Sequence, residues 1–407
     1  MKLSPRPPRM PSRLSGSVHH QLNVYALATW GALLFILLVF GNFAQAQTFT
    51  TLYNFTGGAD GRWPYAGVID YAGNLYGTTF GGGPAYGGVV FQLSSDGIET
   101  VLHGFGRGDD EGEVYAPVLR DEDGNLYGTT VVGGNYGQGT VFKLDPAGRE
   151  TVLHNFAGGT TDGCDPIGGL ATDACGNLFG TTTNCGINEG GILFRVSKKK
   201  VFTVLHDFSG GSSGSYPFMT TPVLAGDGTI YGITQYGGAG NVGMVYKLSK
   251  GRFTPLYNFK GGVDACYPEG TPVMDGLGNL YGVAAGCGLY SAGTVWKVTQ
   301  SGSETILHNF AGGTAEGCFA AGGLVRDSRG NLYGTTAECG AAGNGTVWEL
   351  RNDGTFTLLH SFTGSEGAFP MGDLLRNSDG ALYGTTAVGG TYDHGTVWSY
   401  KRCFICR

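Results

Sequence analysis

One five-residue element, Leu-Tyr-Gly-Thr-Thr, constrains this chain more than any other feature. It stands at Leu75–Thr79 and returns at Leu126, at Leu178 (with Phe179 for Tyr), at Ile230, at Leu280, at Leu332 and at Leu382. The seven copies are 51, 52, 52, 50, 52 and 50 residues apart. A period near fifty is one supersecondary unit repeated, and such units bury their apolar faces only against each other.

Each period holds four short strand-like runs. In the third they read Gly169–Thr172, Asn177–Thr182, Gly191–Val196 and Val201–Phe208. Runs one and two meet at an Asp-x-x-Gly-Asn turn, as at Asp70–Asn74 and Asp327–Asn331. Runs three and four meet at similar turns, such as Ser95-Asp96-Gly97. In these turns Gly and Asn supply the positive φ that tight hairpins require. Four antiparallel strands per period define a propeller blade, so the expected fold is all-β, a seven-bladed propeller over 47–400. The repeat opens on a fourth-type strand, Thr51–Phe55, and ends on a third-type strand, Gly395–Trp398. That offset predicts that the N-terminal strand completes the last blade and closes the ring, which removes the exposed edges.

The elements G-N-L-Y-G-T-T, G-G, G-T-V-F and L-H-x-F, with a D-G-x-x-P loop, resemble the Gloeo/Verruco tandem repeat, and the likeness covers about 47–400. The resemblance implies an exported bacterial repeat protein of propeller type. It brings no established activity and no catalytic residues.

Residues 1–46 differ from the rest. Lys2, Arg6, Arg9 and Arg13 precede an apolar run from Val24 to Phe43, and Ala44-Gln45-Ala46 is an A-x-A cleavage pattern. This reads as a signal peptide cleaved before Gln47, or as a membrane anchor if it stays uncleaved. Residues 401–407 read as a short tail. Without its four basic leader residues the chain carries 21 Lys and Arg against 32 Asp and Glu, a formal charge of −11. That balance argues against a nucleic-acid partner.

Nine cysteines remain in that exported chain. Cys164 and Cys185, Cys266 and Cys287, and Cys318 and Cys339 each lie 21 residues apart, one before a first strand and one after a second. Both loops lie at one end of a blade, so the spacing predicts three intra-blade disulfides. Cys175, Cys403 and Cys406 have no assigned partner.

Five histidines, His103, His154, His206, His308 and His360, occupy one slot in five fourth strands. Fourth strands form the rim, so these rings sit far apart and read as packing groups. An acidic residue recurs before the first strand: Asp60, Asp110, Asp162, Asp264, Glu316 and Glu366. This is ordinary turn chemistry, or a ring of carboxylates of the kind that binds Ca²⁺; no other cofactor is evident. Aromatic residues decorate the same end, with Trp63, Tyr65, Tyr115, Tyr216 and Tyr267 before first strands and Tyr86, Tyr136, Tyr290 and Tyr392 after second strands. No G-x-S-x-G, H-E-x-x-H or P-loop is present. The function expected is therefore a secreted, non-enzymatic binding propeller that recognises a glycan or an extracellular protein through these loops. The competing expectation is an extracellular propeller enzyme of the glycosidase or lyase type.

Overall fold

The computed structural model describes residues 47–106 and 112–402. The expected leader, Asp110, Cys403 and Cys406 lie outside these residues. Seven four-stranded antiparallel sheets follow one another along the chain, each a blade. Blade one comprises Ile69–Tyr71, Asn74–Thr79, Val89–Leu93 and Glu99–Gly104. Blades two to six repeat this meander.

Blade seven is closed as expected. Gln47–Asn54 pairs antiparallel with Thr396–Arg402, from Gln47 opposite Arg402 to Asn54 opposite Thr396. Both strands run further than the sequence suggested, and the third strand takes in Lys401 and Arg402. Arg402 reaches sideways to blade six, 2.8 Å from the Glu349 carboxylate. The ring is thus latched at its seam by ladder hydrogen bonds, and the ion pair ties blade seven to blade six.

The repeated motif explains itself once its neighbours are known. Its Leu is buried in the core of the blade. Its Gly lies under the aromatic ring of the third strand; a Cβ on Gly77 would stand 2.6 Å from Phe91, and one on Gly282 only 2.2 Å from Trp296. Its first Thr ties one blade to the next. Thr78 donates to the Ala116 carbonyl (2.9 Å), Thr129 to Gly168 (3.3 Å) and Thr335 to Pro370 (3.0 Å), and Thr385 closes the circle on Ala66 (2.7 Å). Its second Thr accepts from the first residue of the third strand, as Thr182 does from Ile192.

The core is seven clusters, each shared by two neighbouring blades. Trp296, Trp348, Trp398 and Tyr246 are its largest fully buried side chains. Burying a side chain of that size contributes about 2–3 kcal/mol each. Strand polarity then divides the molecule into two ends. The tight Asp-x-x-Gly-Asn turns share one end, where Asp173 accepts from the backbone of Cys175 and Asn177 and from the Asn177 amide. The longer loops share the other.

Candidate functional site

The loop end is where the sequence placed its candidates, and the structure sorts them into three kinds. The first kind is the acidic ring. Asp162 accepts from the Ala157 and Gly163 amides and from His154 Nε2 at 3.1 Å. Asp264 accepts from Lys260 and Ala265 amides and from the Tyr257 hydroxyl. Asp60, Glu316 and Glu366 repeat the pattern with Tyr53, His308 and His360. In blade four, where no acid stands, Ser213 Oγ meets His206 Nε2 at 2.9 Å. These five carboxylates are therefore turned into their own loops, each tying the loop start to a fourth-strand side chain. The histidines pack beside Phe as expected, and also orient these acids. The pairing within a loop was not read from sequence, because the partners lie six to eight residues apart and meet only once the loop curls.

The second kind is the set of aromatic residues in the loops that lead into first strands. Trp63, Tyr216, Tyr267, Phe319 and Phe369 all hold φ near +60°. Bulky side chains avoid this region, and a residue held there is over-determined by its surroundings. The constraint is visible: the Phe319 N–H donates to Ala292 of the preceding blade while its carbonyl accepts from Ala337 of its own, and Tyr216 and Phe369 are clamped the same way. Trp63 adds the Arg62 guanidinium 4.1 Å above its ring. One turn deeper, Tyr65 and Tyr115 stack at 4.6 Å, nearly parallel. Burial, and then Tyr65, pushes the Tyr115 phenol well above its ordinary range. Tyr216 stacks on Phe218, and Tyr267 lies edge-on to Tyr236. Much of this aromatic surface is spent on itself.

The third kind stands apart. Tyr86, Tyr136, Tyr290 and Tyr392 sit at the tips of the loops after second strands and are 75%, 61%, 57% and 54% exposed. They belong to blades one, two, five and seven.

The three expected disulfides are present: Cys164–Cys185, Cys266–Cys287 and Cys318–Cys339. They staple the loops of blades three, five and six at this same end. Cys175 is an exposed thiol at the turn end. Structural disulfides persist in oxidising compartments, which places the propeller in an extracellular or periplasmic setting.

The family model of the Gloeobacter/Verrucomicrobia repeat matches residues 38–222, 95–276 and 219–403. The chain belongs to this repeat family. No curated protein matches it. Among solved structures, the extracellular domain of a protein described as a one component system from B. thetaiotaomicron superposes with a TM-score of 0.54 at 12% identity, over 88% of this chain and 40% of that one. The extracellular domain of a hybrid two component system from the same organism gives 0.50 at 11%, over 86% and 41%. The repeat protein thus spans about two fifths of the length of either. A protein described as a 6-phosphogluconolactonase from Bacteroides uniformis gives 0.50 at 15%, over 76% and 88%. At these identities the likeness is one of fold.

Two further residues at the axis were missed in the sequence. Four positions before the residue that opens the first ladder, the blades carry Tyr65, Tyr115, Ile167, Met219, Glu269, Ala321 and Met371. Two positions before it they carry Gly67, Pro117, Gly169, Thr221, Thr271, Gly323 and Asp373. Each register holds one carboxyl group. Glu269 is 5% exposed, accepts from Gln235 Nε2 at 2.5 Å through one oxygen, and leaves the other unpartnered. Burial raises it to about 7, against the Gln235 hydrogen bond. Asp373 accepts from the Gly323 amide at 2.7 Å and the Thr271 amide at 3.4 Å. Burial raises it as well.

Proposed function

We propose that this protein is an extracellular, non-enzymatic binding propeller whose loop end recognises a polysaccharide. The observation that carries the reading is the set of four tip tyrosines. They expose more than half of their surface on an end where the five recurring carboxylates among the described residues are engaged within their own loops. A neutral, flat phenol beside open backbone is a platform for the apolar face of a sugar ring, with its hydroxyl left to hydrogen-bond. The tyrosines are spread over four blades, so an extended polymer engages several of them and a monosaccharide does not. Function commonly sits on loops held by a rigid scaffold, and the Cys266–Cys287 disulfide lowers the cost of ordering the blade-five loop that carries Tyr290. The fold-level likeness to two extracellular domains supports the setting.

The axial carboxyl groups favour the second reading, a glycosidase or lyase. The space between the inner strands weighs against it. The cavity there measures about 20 Å³, room for about one water molecule and not for a sugar ring.

The experiment is a polysaccharide array probed with the oxidised, secreted protein, followed by calorimetry on each hit. The reading expects saturable binding and no turnover of the bound glycan. Release of reducing ends or unsaturated products would transfer the protein to the enzymatic class.

A further inference from the structure

The two ends of the propeller carry different charge. At the loop end, the segments that join fourth strands to first strands and second strands to third strands contain only Arg62 and Lys260 as basic residues among the described ones. Both are drawn against rings, Arg62 over Trp63 and Lys260 beside Tyr257. In the same segments every blade except the fourth places at least one carboxyl group, Asp60, Glu113, Asp162, Asp264, Glu316 and Glu366 among them. The remaining described Lys and Arg, from Arg120 to Arg402, stand at the opposite half of the blades. Acids accompany them there, as Asp145 accompanies Arg149, Asp379 Lys401 and Glu349 Arg402. The excess of acid over base is therefore concentrated at the loop end. Solubility asks for net charge and not for its segregation. Exposed carboxyl groups also lie in the very loops that carry the tip tyrosines. They are Glu189 on blade three, Glu338 on blade six and Asp393 on blade seven. Glu189 and Asp393 occupy one register, four residues before Leu193 and Val397 of the third strands, and both hold φ near +60°. Asp393 directly follows Tyr392, and no Lys or Arg of the described residues pairs with any of the three.

We propose that the ligand of the loop end is a polycationic polysaccharide, one with free amino groups along its chain. The inference rests on the polysaccharide reading above and names the substrate class of the same site. Glu338 on blade six lies between the tyrosine blades five and seven, and Glu189 on blade three follows the tyrosine blade two. An extended chain that reaches several tip tyrosines therefore crosses loops that carry these acids. A protonated amine is attracted both to a carboxylate and to the face of a phenol ring. A field of one sign also raises the local concentration of an oppositely charged polymer and steers it to this end. A uronate or sulfate polymer meets repulsion instead, with Arg62 and Lys260 as the only basic side chains among the described residues of the loop end.

The probes are glucosamine oligomers and their N-acetylated counterparts, which share a backbone and differ in charge, with poly-lysine and a polyuronate as controls. The whole exported chain is titrated at mildly acidic pH, where the amines are charged and exposed carboxylates stay ionised. The amino form should bind about tenfold or more tighter than the acetylated form at low salt. That preference should shrink as the ionic strength rises from about 0.01 M to about 0.15 M, and the polyuronate should not bind. Glu189→Gln/Glu338→Gln/Asp393→Asn should reduce the preference about threefold or more. This variant keeps its blade-seven loop, because Asn241 accepts from the Gly237 amide at 3.0 Å as Asp393 accepts from Gly389 at 3.0 Å. Equal affinity for the two forms, tighter binding of the polyuronate, or an undiminished preference in the folded variant overturns the inference and leaves the polysaccharide reading standing. Poly-lysine bound as tightly as the glucosamine oligomers shows recognition of charge without sugar, and overturns the polysaccharide reading together with the inference. Failure of all four probes to bind overturns both as well.

Discussion

The rim and the axis of this propeller depart from the repeat in different ways. On the rim, a fourth-strand histidine stacks on a Phe of the following blade: His154 on Phe202, His206 on Phe253, His308 on Phe356, and His360 on Phe49 across the seam, all within 4.3 Å. Where the histidine becomes Tyr53 or Tyr257, the following blade carries Glu99 or Glu304 in place of Phe, near enough for its charge to act on the phenol. At these two junctions a change on one blade is matched on the next; at His103 the histidine is kept although Glu150 stands in the Phe register of the following blade. Along the axis, Glu269 and Asp373 each stand alone in a register of uncharged residues. Compensated changes preserve a fold. One oxygen of Glu269 is buried without a partner, and a polar group buried in that way carries a stability cost.

The largest test of the rim is its seam. Deleting 47–54 removes the fourth strand of blade seven, the Phe49–His360 stack and the pairing with Thr396–Arg402. The chain should lose cooperative unfolding. Trp398→Ala, at the fully buried centre of that blade, should cost about 3–5 kcal/mol in denaturant unfolding. A loss under about 1 kcal/mol would show that blade seven is not an integral part of the closed ring.

Next come the disulfides. Replacing Cys266 and Cys287 by Ser opens a 21-residue separation and should cost about 3 kcal/mol on the chain-entropy account, which is model-dependent. Each of the three pairs should appear as one crosslinked peptide under non-reducing conditions.

Smaller effects separate the two regions by pH. Burial, aided by Asp60 and Asp264, raises Glu99 and Glu304 to about 7. An acid raised in the folded state gives stability that is present below its unfolded value of 4.5 and is lost as the pH rises through 7. His206, His308 and His360 are lowered by burial and act in the opposite sense below pH 6.5. The informative quantity is therefore a difference. Relative to wild type, Glu99→Gln/Glu304→Gln should gain stability between pH 5 and 7.5. An identical pH profile would mean that these rim acids keep ordinary titration.

The smallest effect is a coupling. A double-mutant cycle on His154 and Phe202 should return about 0.5–1.5 kcal/mol. A value near zero would reduce the rim stack to coincidence.

Much of the fold was legible because the same information is written seven times. The period, the four runs per period, the closing strand and the cysteine pairs each follow from spacing. The rim partnership was written too, since Phe202 and Glu99 occupy one register, but it becomes readable only when blade packing brings residues some fifty positions apart into contact. The axial acids were hidden for the opposite reason. Glu269 and Asp373 occur once each, in segments with little strand pattern, and beside recurring loop acids they looked unremarkable. Left-handed aromatics such as Phe319 were invisible as well, because no sequence rule places a bulky residue there.

The account rests on the claim that the loop end, and not the turn end, is the binding surface. The direct measurement compares three folded chains against a polysaccharide that the wild type binds: the wild type, Tyr136→Ala/Tyr290→Ala/Tyr392→Ala, and Asp96→Asn/Asp353→Asn at the turn end. The account predicts at least about tenfold weaker binding for the tyrosine variant, with melting temperature unchanged, and unaltered binding for the turn-end variant. Wild-type affinity in the tyrosine variant, with binding lost in the turn-end variant, would contradict it.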